Sequence, residues 1–228
     1  MSLDPQLFLL QWTDSALPIG SYSHSWGLET VIQDQQLTSG QALETYLQGL
    51  LRISLVPQEG MACYLAHHYA QTERPAAWIR LQHQFNAIPR AHEIQQASLQ
   101  MGNRLQHLAQ RVWGLQCPSL SHSGSQLPHH CLVFGWVCAN AGLPAADTLR
   151  SYWLTTLTGL VAAGVKLIPL GHTEGQQILA KLSLQISCEV ERVLSSCPAQ
   201  QPMLSSMAWL QERDSQRHQH LYSRLFQS

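Results

Sequence analysis

Charge is what this 228-residue chain has least of. Asp, Glu, Lys and Arg make up 12% of it, with 13 basic residues against 14 acidic ones, where an average globular chain carries about 25%. Without a basic excess there is no field to recruit nucleic acid or an anionic membrane surface, and both are excluded as partners. Long hydrophobic runs are also missing. The best, residues 154–170, is broken by Thr155, Thr156, Thr158, two glycines and Lys166, which predicts a buried bundle helix and not a membrane span. The N-terminal MSLDPQLFLLQW has neither a basic leader nor a small-residue cleavage site, so no secretory signal is expected. The six cysteines, Cys63, Cys117, Cys131, Cys138, Cys188 and Cys197, include no CxxC pair, and reduced thiols in the cytoplasm are their simplest account. Sustained apolar–polar alternation between hairpin turns is absent as well, which leaves little room for β-sheet.

What remains is apolar spacing at three and four, the signature of helices packed by one face. An all-α, single-domain bundle of about eight to ten helices is expected over residues 1–228, with an extended N-terminal turn and a flexible C-terminal docking tail over 198–228. Asp4–Pro5 is an N-cap and first-turn pair opening a short helix through Trp12. Thr38 with Gln41 forms a capping box before the stripe Leu43, Leu47, Leu50 and Leu51, and Pro57 is expected to end that helix, with another following to Gln71. Pro75 opens the next, and Pro89 begins the longest candidate, which reaches Trp113. Residues 116–128, QCPSLSHSGSQLP, read as a loop and internal hinge. Gly142 and Pro144 stop one helix and start another through Ile168; Thr173 caps a last long helix to about Ser196. So little charge leaves much of the surface uncharged, either as apolar area that suits a protein working against partners or as a soluble Gln-rich surface.

The segment LPIGSYSHSWGLE, residues 17–29, concentrates reactive residue types. Adjacent Ser and His side chains point about 100° apart on a helix and to opposite faces of a strand, so Ser23, His24 and Ser25 do not make a nucleophile–base pair, and the GxSxG elbow is absent. A Pro–Gly turn followed by a helix start in which Ser23 or Ser25 accepts a backbone N–H explains the small residues. It leaves Tyr22, His24 and Trp26 without a task. For metal, His129, His130 and Cys131 are consecutive and cannot converge on one ion in a helix, and Cys131 and Cys138 lie about 10 Å apart along one. VKLIPLGHTEGQ, residues 165–176, lacks the order of a phosphate loop; it reads as a helix corner with Lys166 snorkelling outward. In the tail RDSQRHQHLYSRLFQS, the aromatic and aliphatic residues flanked by Arg are of the kinds enriched at interface hot spots.

Four blocks together carry a family resemblance: LLQWTDSALPIGSYSHSWGLE, ASLQMGNRL (residues 97–105), VKLIPLGHTEGQ and LYSRLFQS. They resemble, in that family's order, the urease accessory protein UreF. The resemblance implies a cytoplasmic, dimeric, non-catalytic adaptor with no tightly bound cofactor. Such an adaptor joins UreD (also called UreH) and the GTPase UreG to load nickel into apo-urease, nickel being handled by the complex and GTP by UreG. It implies a displayed contact patch of Tyr22, His24, Trp26 and Glu29, a tail docking on UreD through Tyr222, Arg224, Leu225 and Phe226, and a partner-facing surface near Lys166 and His172. Structural roles are expected for Trp12, Leu17 and Leu28. The family often has a second Gly where this chain has Ser21, and Arg where it has Lys166, and Lys cannot reproduce a bidentate guanidinium contact. The alternative is a metallochaperone holding nickel through His129, His130 and Cys131.

Overall fold

The computed structural model describes residues 3–119, 127–196, 204–205 and 209–227. Among these the chain is all-α, with ten α-helices and no strand: α1 Pro5–Trp12, α2 Leu28–Gln33, α3 Gly40–Leu50, α4 Met61–Gln71, α5 Pro75–Asn86, α6 His92–Leu108, α7 His130–Asn140, α8 Ala145–Leu167, α9 His172–Ser196 and α10 Trp209–His218. None of the helices so described is long and apolar enough to cross a membrane.

Local chemistry sets most of the boundaries. Asp4 caps α1 by accepting from the Gln6 and Leu7 amides at 2.9 and 3.0 Å, with Pro5 in the first turn where no N–H is needed. Gly142, at φ 82°, closes α7 with the paired bonds Leu143 N–H to Cys138 O and Gly142 N–H to Ala139 O, both 3.0 Å. Three boundaries differ from expectation. Ser39, not Thr38, caps α3, accepting from the Ala42 amide at 3.2 Å. The longest helix of that region starts at His92 and not Pro89, because Pro89 and Arg90 lie in the connection. Pro57 does not end its helix: Leu51–Gly60 continues as widened π-type turns straight into α4. A proline removes one N–H and pushes against the preceding turn, and the wider turn accommodates both effects. The Trp153 indole N–H donates to the Leu55 carbonyl at 3.3 Å, while Gly60 lies against the Trp153 ring, where any Cβ would collide.

The core is organised around α7, which is apolar on every side and buried throughout its middle. Gly135 lets it press onto the Cys63 carbonyl of α4, and Gly102 lets α6 meet the backbone at Pro128–His130. The long helices α8 and α9 pair and close over α3 and α4. Phe8, Trp12, Trp113 and Phe134 form an aromatic cluster beneath α1, with neighbouring ring centroids 5.1–6.1 Å apart. Trp12 and Leu28 are buried and Leu17 half-buried, in keeping with structural roles. Most of the 116–128 hinge candidate, residues 120–126, lies outside the described residues.

Candidate partner-binding site

The LPIGSYSHSWGLE segment is built on two tight backbone positions. Gly20 sits at φ 84°, followed by a single 3₁₀ turn, Ser21–Ser23, closed by Ser23 Oγ donating to the Gly20 carbonyl at 2.7 Å. The Arg104 guanidinium of α6 lies against Gly20, its Nη1 where a Cβ would sit, and donates to the Ile19 carbonyl at 3.1 Å. Trp26 adopts φ 55° and Gly27 φ 84°. Left-handed backbone is uncommon for a bulky residue and marks a segment held by its surroundings. Ser25 then serves the helix start, its Oγ accepting from the Glu29 amide at 3.4 Å. His24 is buried, 5.5 Å from the Trp26 ring; burial, then the Arg104 charge, push its pKa down to about 4, so it is neutral at pH 7.

The surroundings that hold this segment are the chain's own C-terminus. Gly27 lies against α10, where a Cβ would come within 2.9 Å of the Ser215 amide. Glu29, expected on display, is fully buried: its carboxylate accepts from His218 Nε2 at 2.7 Å, the Leu225 amide at 2.8 Å and the Phe226 amide at 3.2 Å. Arg217 of α10 and residues beyond it continue the contact. Gln33 Nε2 donates to the Ser223 carbonyl at 3.0 Å, the Gln227 amide donates to the Ser23 carbonyl at 2.7 Å, and Arg217 pairs with Asp34 at 2.6 Å. Phe226, expected to dock on another protein, is buried here with Lys166 Nζ 5.7 Å from its ring centroid. The part of the tail described here is therefore seated on its own N-terminal motif.

All four sequence blocks meet at this place: the N-terminal motif, Arg104, Lys166 and the tail. Above the buried clamp the exposed groups are Tyr22 (43%), Tyr222 and Leu225 (72%), with Arg224 and Lys166 beside them. Trp26 is half-buried, and His172 is exposed at the start of α9. Arg104 and Asp34 belong to the site and were not singled out from sequence, while Arg217 and His218 stood out only as part of the tail; Arg104 had a signal, as the one charged residue of the ASLQMGNRL block.

The metal candidates occupy separate surroundings. His129 is buried, its ring 3.0 Å from Ser98 Oγ and 3.3 Å from Asn86 Oδ1, and burial followed by the Arg90 charge takes its pKa down to about 3. Burial brings His130 down to about 4, with its ring centroid 5.4 Å from that of Tyr152, and pushes the Cys131 thiol up. Among the described residues no group of three or more His, Cys, Asp or Glu side chains could hold a metal ion.

The UreF family model matches residues 37–183. Urease accessory protein UreF of a Nostoc species is 30% identical over 222 residues, spanning 97% of this chain and 95% of that protein. The UreF of a Bacillus species is 30% identical over 97% of this chain and 98% of its own length, and that of Thermosynechococcus vestitus 34% over 97% of each. With a family model over more than half its length and relatives matched nearly end to end, the chain belongs to the UreF family of urease accessory proteins.

Proposed function

We propose that this protein is a non-catalytic, cytoplasmic adaptor for nickel insertion into apo-urease, bridging UreD (UreH) and the GTPase UreG and coupling the GTP cycle to metal delivery. It acts as a homodimer and binds no cofactor tightly; nickel is handled by the complex and GTP by UreG. The observation that carries this reading is the convergence of four sequence-distant blocks on one surface. The polar groups there are spent on the chain itself: Ser23 Oγ closes the turn on Gly20 O, and Glu29 accepts from three donors of α10 and the tail. What faces outward is aromatic, aliphatic and cationic, the composition of a protein-binding hot spot, mounted on a backbone fixed by Arg104 and α10. Lys166 contributes a point charge and ring contact to this face in place of a bidentate fork.

The test is co-purification of the full chain with UreD and with UreG, with and without GTP and nickel. Deleting residues 221–228 is expected to abolish UreD capture while far-ultraviolet circular dichroism stays helical. Retained capture overturns the docking role. Equilibrium dialysis separates the carrier alternative: tight stoichiometric nickel on the isolated chain, lost on changing His129, His130 and Cys131, would replace the adaptor reading.

A further inference from the structure

The acids and bases around the clamp are unequally engaged. Its carboxylates are all taken up within the chain: Glu29 by three donors, Asp34 by Arg217 at 2.6 Å, and the buried Asp214 by Arg213 at 2.6 Å. Those further out are engaged too. Asp14 accepts the Ala16 amide at 2.6 Å, Glu212 accepts the Ala91 amide, and the Glu174 carboxylate lies against Gly40 in the first turn of α3, where a helix N-terminus favours negative charge. The cations are not so occupied. Arg104 of α6, Lys166 of α8 and Arg224 of the tail are exposed, and among the described residues none of the three takes part in an ion pair. All three belong to one place. Arg104 holds the Ile19 carbonyl, Lys166 Nζ is 5.7 Å from the Phe226 ring centroid, and Arg224 stands between Ser223 and Leu225, whose backbone groups bond Gln33 and Glu29. They share the clamp with exposed Tyr22, Tyr222 and Leu225.

We propose that this face receives an acidic protein surface, with carboxylates opposite Arg104, Lys166 and Arg224 and an apolar centre against Tyr22, Tyr222 and Leu225. Arg104 is thereby assigned to the interface as well as to the turn it supports. The inference rests on the adaptor reading, under which the surface above the tail belongs to UreD. Nucleic acid is the poorer fit for the same charges. A chain with 13 basic residues against 14 acidic ones has no long-range field to hold a polyanion, and three cations fall short of the roughly 6–10 phosphate contacts of an ordinary nucleic-acid binder. Leu225, 72% exposed, instead offers apolar area that a protein surface can cover. Exposed ion pairs add little to equilibrium affinity, whereas charges at an interface rim speed encounter and are screened by salt. The effect therefore falls on the association rate.

Stopped-flow association of the full chain with purified UreD, between about 0.05 M and about 1 M sodium chloride, tests it. The wild-type association rate is expected to fall about tenfold or more over that range. Arg224→Glu and Lys166→Glu are each expected to slow association about threefold to tenfold at low salt, with dissociation changed less and the gap closing at high salt. Lys166→Arg, which keeps the charge, is expected to associate as the wild type does. Hydrogen exchange of residues 221–227 is read in the same variants; if Lys166→Glu loosens the tail, Arg224→Glu decides alone. Deleting residues 221–228 separates the two levels of the argument. Capture lost on deletion, together with association indifferent to salt and to both charge reversals, overturns this inference and leaves the adaptor reading standing. Capture retained without the tail overturns the docking role and this inference with it. A short DNA oligonucleotide bound as tightly as UreD overturns the choice of a protein surface.

Discussion

Replacing Glu29 by Ala removes the acceptor for three donors 196, 197 and 189 residues away in the chain. Left in place, each orphaned donor would cost about 1–3 kcal/mol, more for a group that had bonded a charge, so keeping the tail seated would cost on the order of 5 kcal/mol. The tail has a cheaper course. Undocking exposes chiefly Phe226, worth about 1.5–3 kcal/mol of burial, and returns the Leu225 and Phe226 amides to water. Undocking wins, and the loss stays local. Expected are a fall in melting temperature of about 3–12 °C, since each kcal/mol moves a chain of this size by about 2–4 °C, together with near-complete loss of exchange protection in residues 221–227. Hydrogen exchange by mass spectrometry reads both the tail and the bundle. Wild-type protection of the tail in Glu29→Ala would refute the clamp, and a collapse of protection throughout α7 and α8 would show that Glu29 holds the whole fold.

Other outcomes follow from the same geometry. Gly135→Ala is expected to lower the melting temperature by well over 5 °C, because a Cβ there collides with the Cys63 carbonyl backbone, which cannot rotate away; thermal denaturation checks it. Gly27→Ala meets both a left-handed φ of 84° and the Ser215 amide and is expected to loosen α10 and weaken UreD capture more than it lowers the melting temperature. His24, His129 and His130 are held near 4, 3 and 4 against an ordinary 6.5. The unfolded chain therefore takes up protons that the native one refuses, and stability is expected to drop as pH falls from 6.5 towards 4. His130→Phe is expected to make the dependence of melting temperature on pH shallower over that window, and an unchanged slope would contradict it.

The all-α architecture was legible because helices announce themselves locally: Asp4–Pro5, Gly142–Pro144 and the Leu43–Leu47–Leu50 stripe each carry their own instruction. Pro57 misled because the turns around it widen to π type and carry the helix on into α4, a remedy that no neighbouring residue announces. The site was half legible. Its segments stood out as motifs, and the Pro–Gly turn with a serine at the helix start could be worked out from neighbouring residues. That Glu29 faces inward could not, since its partners His218, Leu225 and Phe226 reach it only through tertiary folding. Arg104 on Gly20 and Lys166 on Phe226 are of the same kind: spacing within a segment says which face a side chain shares, and nothing of which distant backbone will cover it.

The central claim is that the seated tail and the N-terminal motif act as one binding face. The most direct measurement uses the contact between the Gln227 amide and the Ser23 carbonyl: a Ser23→Cys, Gln227→Cys variant, oxidised to lock the tail, is titrated against purified UreD and UreG. The account predicts affinities within about threefold of wild type, under about 0.7 kcal/mol, in both oxidised and reduced forms. Binding abolished by the lock and restored by reductant would show that partners need the tail to leave its seat, and would contradict the account.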